Sequence, residues 1–303
     1  MKFWLSLVSV MEVDQLVEIA KYAEEVGFGG ITCADHLVMP TRIDSKYPYT
    51  PDGEVFWPEN TPWPDPWVTL ATMGAVTKKI QLMTNIYLAA LRDPFTAAKS
   101  VATTAVFNEG RVRCGLSAGW IKEEYDLAGV DFPSRGRRLD EIIIAMKTLW
   151  TGEKVSHRGE FFNFDALMCP APKEPIPIWC GGDSKPAIRR AALNDGWLPT
   201  PMTLSGMTQA AEYIRALRRS AGLPQKNFTI CFAPAEPISE GLMTGAKAID
   251  IEDIIVIGPW IPSPWDIQHW TDHGDDFSRL EIKKKAMLRY AETVIAKYPQ
   301  SAG

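Results

Sequence analysis

The chain lacks any apolar run close to the roughly 20 residues needed to cross a bilayer, so its 303 residues are not expected to hold a transmembrane helix. The apolar stretch at Met1–Val8 is short, and Glu12 and Asp14 follow at once, so no secretory leader is expected. Excess charge is also scarce. The formal net charge of -5 favours solubility and gives no support to a general nucleic-acid surface. Five cysteines, at 33, 114, 169, 180 and 231, are odd in number, scattered and mostly inside apolar strand-like runs. That pattern fits reduced, buried thiols in a cytoplasmic protein, and no Cys–His arrangement points to thiol catalysis. Of only four histidines, His269 and His273 stand four apart beside Asp266, Asp272, Asp275 and Asp276. The segment reads as a polar loop without converging ligands, so no metal is expected. No Gly-x-Gly-x-x-Gly follows the first strand, which removes the main support for a dinucleotide-binding fold.

What is abundant is tryptophan, eleven residues, several of them in proline-rich segments. An aromatic-lined cleft is the expectation. The longest such segment, 37–66, has prolines at 40, 48, 51, 58, 62, 64 and 66, interleaved with Tyr47, Tyr49, Phe56, Trp57 and Trp63. A loop this long in a compact domain points to function.

Around it, strands and helices alternate. Phe3–Val8 reads as a strand, Val13–Val26 as a helix closed by Gly27, and Gly30–Ala34 as a second strand ending in Asp35-His36. Trp67–Thr77 is a helix, Ile80–Leu88 a strand, Pro94–Phe107 a helix and Arg111–Leu116 the fourth strand. After an excursion from Ile121, Arg137–Trp150 is an amphipathic helix and Val155–Phe164 a small hairpin. Strands at Ile176–Cys180, Gly196–Pro199, Phe228–Phe232 and Ile254–Ile257 complete the series, separated by helices at Lys185–Leu193, Met207–Ser220 and Leu242–Ala248. A last helix covers Phe277–Lys297. Eight strand–helix units predict an α/β fold, a closed (β/α)8 TIM barrel forming one domain over 1–303. The breaks at 37–66, 121–175 and 259–276 read as insertions after strands 2, 4 and 8.

Ile176 to Ser184 organises this pattern. A short buried strand stops at Gly181-Gly182 and opens into a helix that Ser184 or Asp183 can cap, with Pro186 in its first turn. Unpaired N–H groups at a helix start, approached across glycines, form a possible phosphate seat. In a barrel, strand carboxyl ends meet at one mouth, which brings this turn to His36, Asn85 and Trp120. His36, at a strand end, is the candidate proton-transfer group. Trp57, Trp63, Trp120, Trp197, Trp260 and Trp265 are candidate walls for substrate or cofactor, while Trp179, inside a strand, reads as core. Arg137, Arg138, Arg189 and Arg190 are candidate contacts to an acidic tail or surface cations.

Asp35-His36, Met83-Thr84-Asn85-Ile86, Gly110 to Trp120, Arg135 to Trp150, and Ile178 to Gly182 followed by Asp195-Gly196-Trp197 together resemble the bacterial luciferase-like superfamily. They are most similar to its coenzyme F420-dependent branch, over about residues 1–225. The resemblance implies a deazaflavin or FMN at the barrel mouth and a non-prolyl cis peptide behind its ring, which by match falls at Asn85-Ile86. It implies cofactor contacts from Asp35, Thr84, Asn85, Ile86, Ala118, Gly119, Gly181, Gly182, Asp183 and Ser184, with His36 moving a proton and Trp120 nearest the ring. Substrate contacts would come from Trp57, Trp63, Trp197 and Trp260. Two departures stand out: Ala118 where FMN luciferases often have an arginine toward the phosphate, and Trp120 where F420-dependent sugar-phosphate and alcohol dehydrogenases have an acidic glutamate. The expected activity is hydride transfer between F420 and an apolar organic substrate, with a reduced-FMN monooxygenase as the alternative. A homodimer is expected from the same resemblance.

Overall fold

The computed structural model describes residues 1–50, 52–261 and 270–299. Strand β1 (Lys2–Leu7) leads through α1 (Leu16–Glu25) to β2 (Gly30–Cys33), then α2 (Pro66–Val76), β3 (Gln81–Thr84), α3 (Pro94–Phe107) and β4 (Val112–Leu116). After β4 come α4 (Lys122–Leu127), α5 (Arg135–Leu149) and an antiparallel hairpin, β5 (Val155–Arg158) with β6 (Asn163–Ala166). The barrel resumes with β7 (Ile178–Gly181), α6 (Lys185–Ala192), β8 (Gly196–Leu198), α7 (Leu204–Ser220), β9 (Thr229–Phe232), α8 (Glu240–Ala248) and β10 (Asp253–Ile257), and α9 (Leu280–Thr293) follows. The parallel strands close in the order β1-β10-β9-β8-β7-β4-β3-β2, so the TIM barrel read from the sequence is the fold.

Local chemistry explains the helix starts. Asp65 accepts from the N–H groups of Trp67 and Val68 with Pro66 in the first turn of α2; Asp93 does the same for Phe95 and Thr96 with Pro94 opening α3. Boundaries differ from the sequence reading mainly at β3, where the ladder stops at Thr84 and the Asn85–Ile86 peptide is cis. The last helix begins at Leu280, three residues later than its apolar pattern suggested, because Asp276 and Ser278 make local turn bonds instead. Trp265, Asp266 and His269 lie outside the described residues. Among the described residues no helix is long and apolar enough to cross a membrane.

The barrel interior is filled. Trp4 and Trp179 meet edge-on inside it with ring centroids 5.5 Å apart, packed with Met83, Leu198, Cys231 and Ile255. Their indoles take space that neighbouring strands leave open. A Cβ at Gly30 would fall 2.1 Å from Trp4 Cε3, and one at Gly196 would fall 2.5 Å from Trp179 Cδ1. A core plugged this way is no pore, so anything bound must sit above it, at the carboxyl ends of the strands. Gly30→Ala should therefore cost about 1–3 kcal/mol through overpacking. Chemical or thermal melts check this; wild-type stability in the variant would contradict the account of the interior.

Candidate active site at the barrel mouth

Chain leaving β2 places Asp35 and His36 at the rim. Asp35 is buried and takes a two-point ion pair from Arg92, at 2.8 and 2.9 Å, plus the Leu88 N–H at 2.9 Å. Burial pushes its carboxyl above the ordinary value, against the opposing pull of Arg92. The Arg92 guanidinium also lies 4.4 Å from the centre of the Tyr87 ring. Asp35 borders the cavity, but both its oxygens are engaged, so it braces β2 against the segment after β3. His36 Nδ1 lies 3.1 Å from Glu124 Oε2, while Glu124 Oε1 accepts from Leu37 N–H at 2.6 Å. The His36 and Glu124 side chains are 8% and 1% exposed. Nε2 is left as the imidazole atom available to a ligand.

The 37–66 loop folds over His36 as an aromatic wall. Tyr47 packs edge-to-face on Tyr49, Trp57 and Trp120, each with centroids 5.1 Å away, and Trp63 stands 4.8 Å from the His36 ring. The Trp63 indole N–H is buried and has no partner. Burial pushes the phenols of Tyr47 and Tyr49 upward, so both stay neutral donors. The loop is fastened to α4 at a second point: Glu123 accepts from Asp44 N–H, Ser45 N–H and the Ser45 hydroxyl.

Beneath this wall is a cavity of about 230 Å³. It runs from Asn85 and Ile86, past β3, to Gly181 and Gly182 at the end of β7, over an apolar floor that includes Leu198, Ala233 and Ile255. Ser6, Ser117, Thr200 and Glu236 supply polar edges. A Cβ at Gly181 would stand 3.1 Å from Ile86 Cγ2, so glycine keeps the passage between β3 and β7 open. Gly182 turns the chain with φ at +104°, but its N–H already donates to Leu198 O at 3.1 Å. Ser184 caps α6 by accepting from Ala187 N–H, and Asp183 bonds the Thr200 hydroxyl. What the turn offers an anion is therefore the backbone N–H at Ser184 and Lys185, since Pro186 has none and that of Ala187 is taken by the Ser184 hydroxyl.

Among the described residues no lysine or arginine borders the cavity. Arg137 pairs with Glu160 on the surface, Arg138 holds the carbonyls of Ala90 and Arg92, Arg190 pairs with Asp140, and Arg189 is exposed. Gly119, Trp120, Trp57 and Trp63 border it beside His36. An open glycine cradle, an apolar floor and an orphaned indole N–H fit a flat ring with a polar atom near His36.

Other sequence candidates fall elsewhere. Trp197 is fully buried and donates to Gly182 O at 3.0 Å. Its neighbours in register are Cys180 on β7 and Ile230 on β9, and the residues either side of it face inward, so strand alternation turns its ring out toward the helices. Trp260 is likewise buried in the outer core, over Gly258. These two rings support the site from behind and do not border the cavity. Thr84 exchanges hydrogen bonds with Gly115 through its hydroxyl, and Ala118 accepts from Tyr125 Oη at 2.6 Å. Asp183 and Ser184 stand behind the glycines, at the helix start. Glu123, Glu124 and Arg92 carry no motif of their own. The adjacent carboxylates just after the strand-four turn were the available signal, in a stretch that reads only as an excursion.

The luciferase-like monooxygenase family profile matches residues 4–238. An uncharacterised protein of Mycobacterium tuberculosis is 31% identical over 284 residues, 93% of this chain and 94% of that protein. The F420-dependent glucose-6-phosphate dehydrogenase of Nakamurella multipartita is 31% identical over 193 residues, covering 62% of this chain and 52% of that enzyme. The crystal structure of a monooxygenase from Streptomyces bottropensis superposes with a TM-score of 0.73 at 18% identity, over 99% of this chain and 100% of that one, a likeness of fold.

Gly181→Ala is expected to weaken binding of a flavin-type ring by about tenfold, equivalent to about 1.4 kcal/mol. Fluorescence titration of the folded variant measures it; unchanged affinity would place the ring away from the β3–β7 passage.

Proposed function

The chain belongs to the luciferase-like monooxygenase family, and on that premise we propose that it is an oxidoreductase passing hydride between coenzyme F420 and an apolar organic substrate: a carbonyl, an alcohol or an activated alkene. The observation that carries this reading is His36, its Nε2 available, standing against the unpartnered indole N–H of Trp63 under an aromatic wall. One substrate oxygen held between these two groups can gain or lose a proton while carbon gains or loses hydride. F420, when bound, supplies or takes up that hydride. Tyr47, Trp57 and Trp120 exclude water and strengthen the electrostatics of the closed site. Asn85, Ile86, Gly119 and Gly181 would hold the ring, and the start of α6 at Ser184 its anionic tail.

Charge supports the finer points of this reading. A sugar phosphate needs cations at the reacting end, and none borders the cavity among the described residues. The name of the Nakamurella relative thus supports F420 here, without its sugar-phosphate substrate. The family's own description favours a second reading, a reduced-FMN monooxygenase. FMN, however, ends in a monoester phosphate with close to two negative charges at neutral pH, whereas F420 carries its phosphate as a singly charged diester. A seat built from a helix start, with Asp183 beside it, meets the phosphate group alone, and there the diester presents the smaller charge.

Association as a homodimer belongs to the same proposal. Val68 and Val76 on α2 and Phe95 and Phe107 on α3 are exposed at the two ends of adjacent helices, apolar side chains that a second copy would cover. Sedimentation equilibrium tests it, and a monomer at all concentrations would remove it.

His36→Ala should lower turnover by about 10²–10⁴-fold while leaving F420 affinity within about threefold. Wild-type turnover in that variant would discard the proton-transfer role. Cofactor identity is checked by photoreducing the loaded enzyme and mixing it with oxygen in a stopped flow. A deazaflavin lacks the ring nitrogen that makes oxygen chemistry efficient, so no peroxyflavin-like transient is expected. Its appearance with tightly bound FMN would replace F420 by the monooxygenase reading.

A further inference from the structure

His36 reaches the cavity through a partner that sequence motifs did not announce. Glu124 sits on α4 immediately after the strand-four turn, and Tyr125 beside it donates to Ala118 O at 2.6 Å, which pins the helix to the end of β4. The Glu124 side chain is 1% exposed. Its Oε1 takes the Leu37 N–H at 2.6 Å and, more weakly, the Val38 N–H at 3.4 Å; its Oε2 faces His36 Nδ1 at 3.1 Å. One carboxylate thus grips the imidazole and the backbone that carries it.

We propose that Glu124 is a positioning residue that imposes the tautomer of His36, keeping the proton on Nδ1 and presenting Nε2 to the substrate oxygen. An ionised carboxylate only accepts, so Nδ1 must donate whether the ring is neutral or protonated. Free neutral imidazole favours the opposite form, with the proton on Nε2; the protein therefore selects the less common tautomer through the bond at the far nitrogen. In alcohol oxidation Nε2 would take the O–H proton as the C=O bond forms, and oxidised F420, held as above, would take up the C–H hydride. The imidazolium then lies against the Glu124 charge, which balances it. Carbonyl reduction runs the same transfers backwards. The kinetic consequence rests on the hydride-transfer reading above; the tautomer itself does not.

Glu124→Gln separates the two because it keeps the shape of the side chain. The Leu37 N–H can only donate, so it retains the amide oxygen. The amide NH2 then turns to His36 Nδ1, which must accept, and the proton moves to Nε2. Nitrogen-15 spectra of cofactor-free protein labelled at histidine, in alkaline buffer and assigned against His36→Ala, should show a protonated Nδ1 in the wild type and a protonated Nε2 in E124Q. In the F420-loaded enzyme, alcohol oxidation by E124Q should fall about 10²–10⁴-fold with F420 affinity within about threefold. A wild-type His36 protonated on Nε2 overturns the proposal, as does an E124Q variant that keeps wild-type turnover. If E124Q does not fold, the wild-type spectrum alone decides the tautomer. A wild type with no turnover of any alcohol or carbonyl sinks the hydride-transfer reading, and the spectra still decide what Glu124 does.

Discussion

Two indoles share the inside of this barrel, and the rest of the molecule is arranged around that crowding. Trp4 and Trp179 leave no volume among the strands, and Gly30 and Gly196 exist as glycines because the indoles occupy the space above them. Binding is displaced upward, to the carboxyl ends of β2, β3, β4 and β7, where the chain has room to insert loops. The chemistry of the mouth follows from this displacement: a floor of Leu198, Ala233 and Ile255 forms the top of the plug.

Above the floor, buried polar groups are placed by pairing each with a specific partner. Asp35 and Arg92 neutralise one another and tie the second strand to the segment after the third. Neighbouring carboxylates on α4 divide the loop between them: Glu124 holds its beginning at 36–38, and Glu123 its middle at 44–45. Removing a donor from Asp35 or Glu124 would leave a buried carboxylate short of hydrogen bonds, a cost of about 1–3 kcal/mol. The aromatic residues that follow these anchors pack on one another, with Tyr47 at the centre, and close over His36.

Much of this was legible in the sequence because it follows local rules. The eight strand–helix units appear in the alternation of apolar runs with helices, and Pro94 marks the start of α3, whereas the Asp65-Pro66 start of α2 was read one residue late. His36, Asn85, Trp120 and Gly181 could be brought to one mouth because barrel strands end there. Trp197 shows where local reading stops: its one-residue offset from Gly196 and Leu198 sends it outward, and only the register against Trp179 and Cys180 reveals that. Gly182 is similar, since its N–H is consumed by Leu198 O across the neighbouring strand. Glu124 was illegible for a different reason. It acts on residues 86 to 88 positions away, and a carboxylate on a short polar helix looks like a solvated surface until the loop is laid over it.

On the proposed reading a tricyclic ring would occupy the passage between Asn85–Ile86 and Gly181, one face toward His36, with its anionic tail leaving past the start of α6. A crystal structure of the protein grown with F420 tests that most directly. Ring density is expected against Ile86 beneath Trp120, and the phosphodiester at the backbone of 183–185. A ring bound anywhere else on the barrel, or one seated in the passage with its tail leaving away from α6, would contradict it.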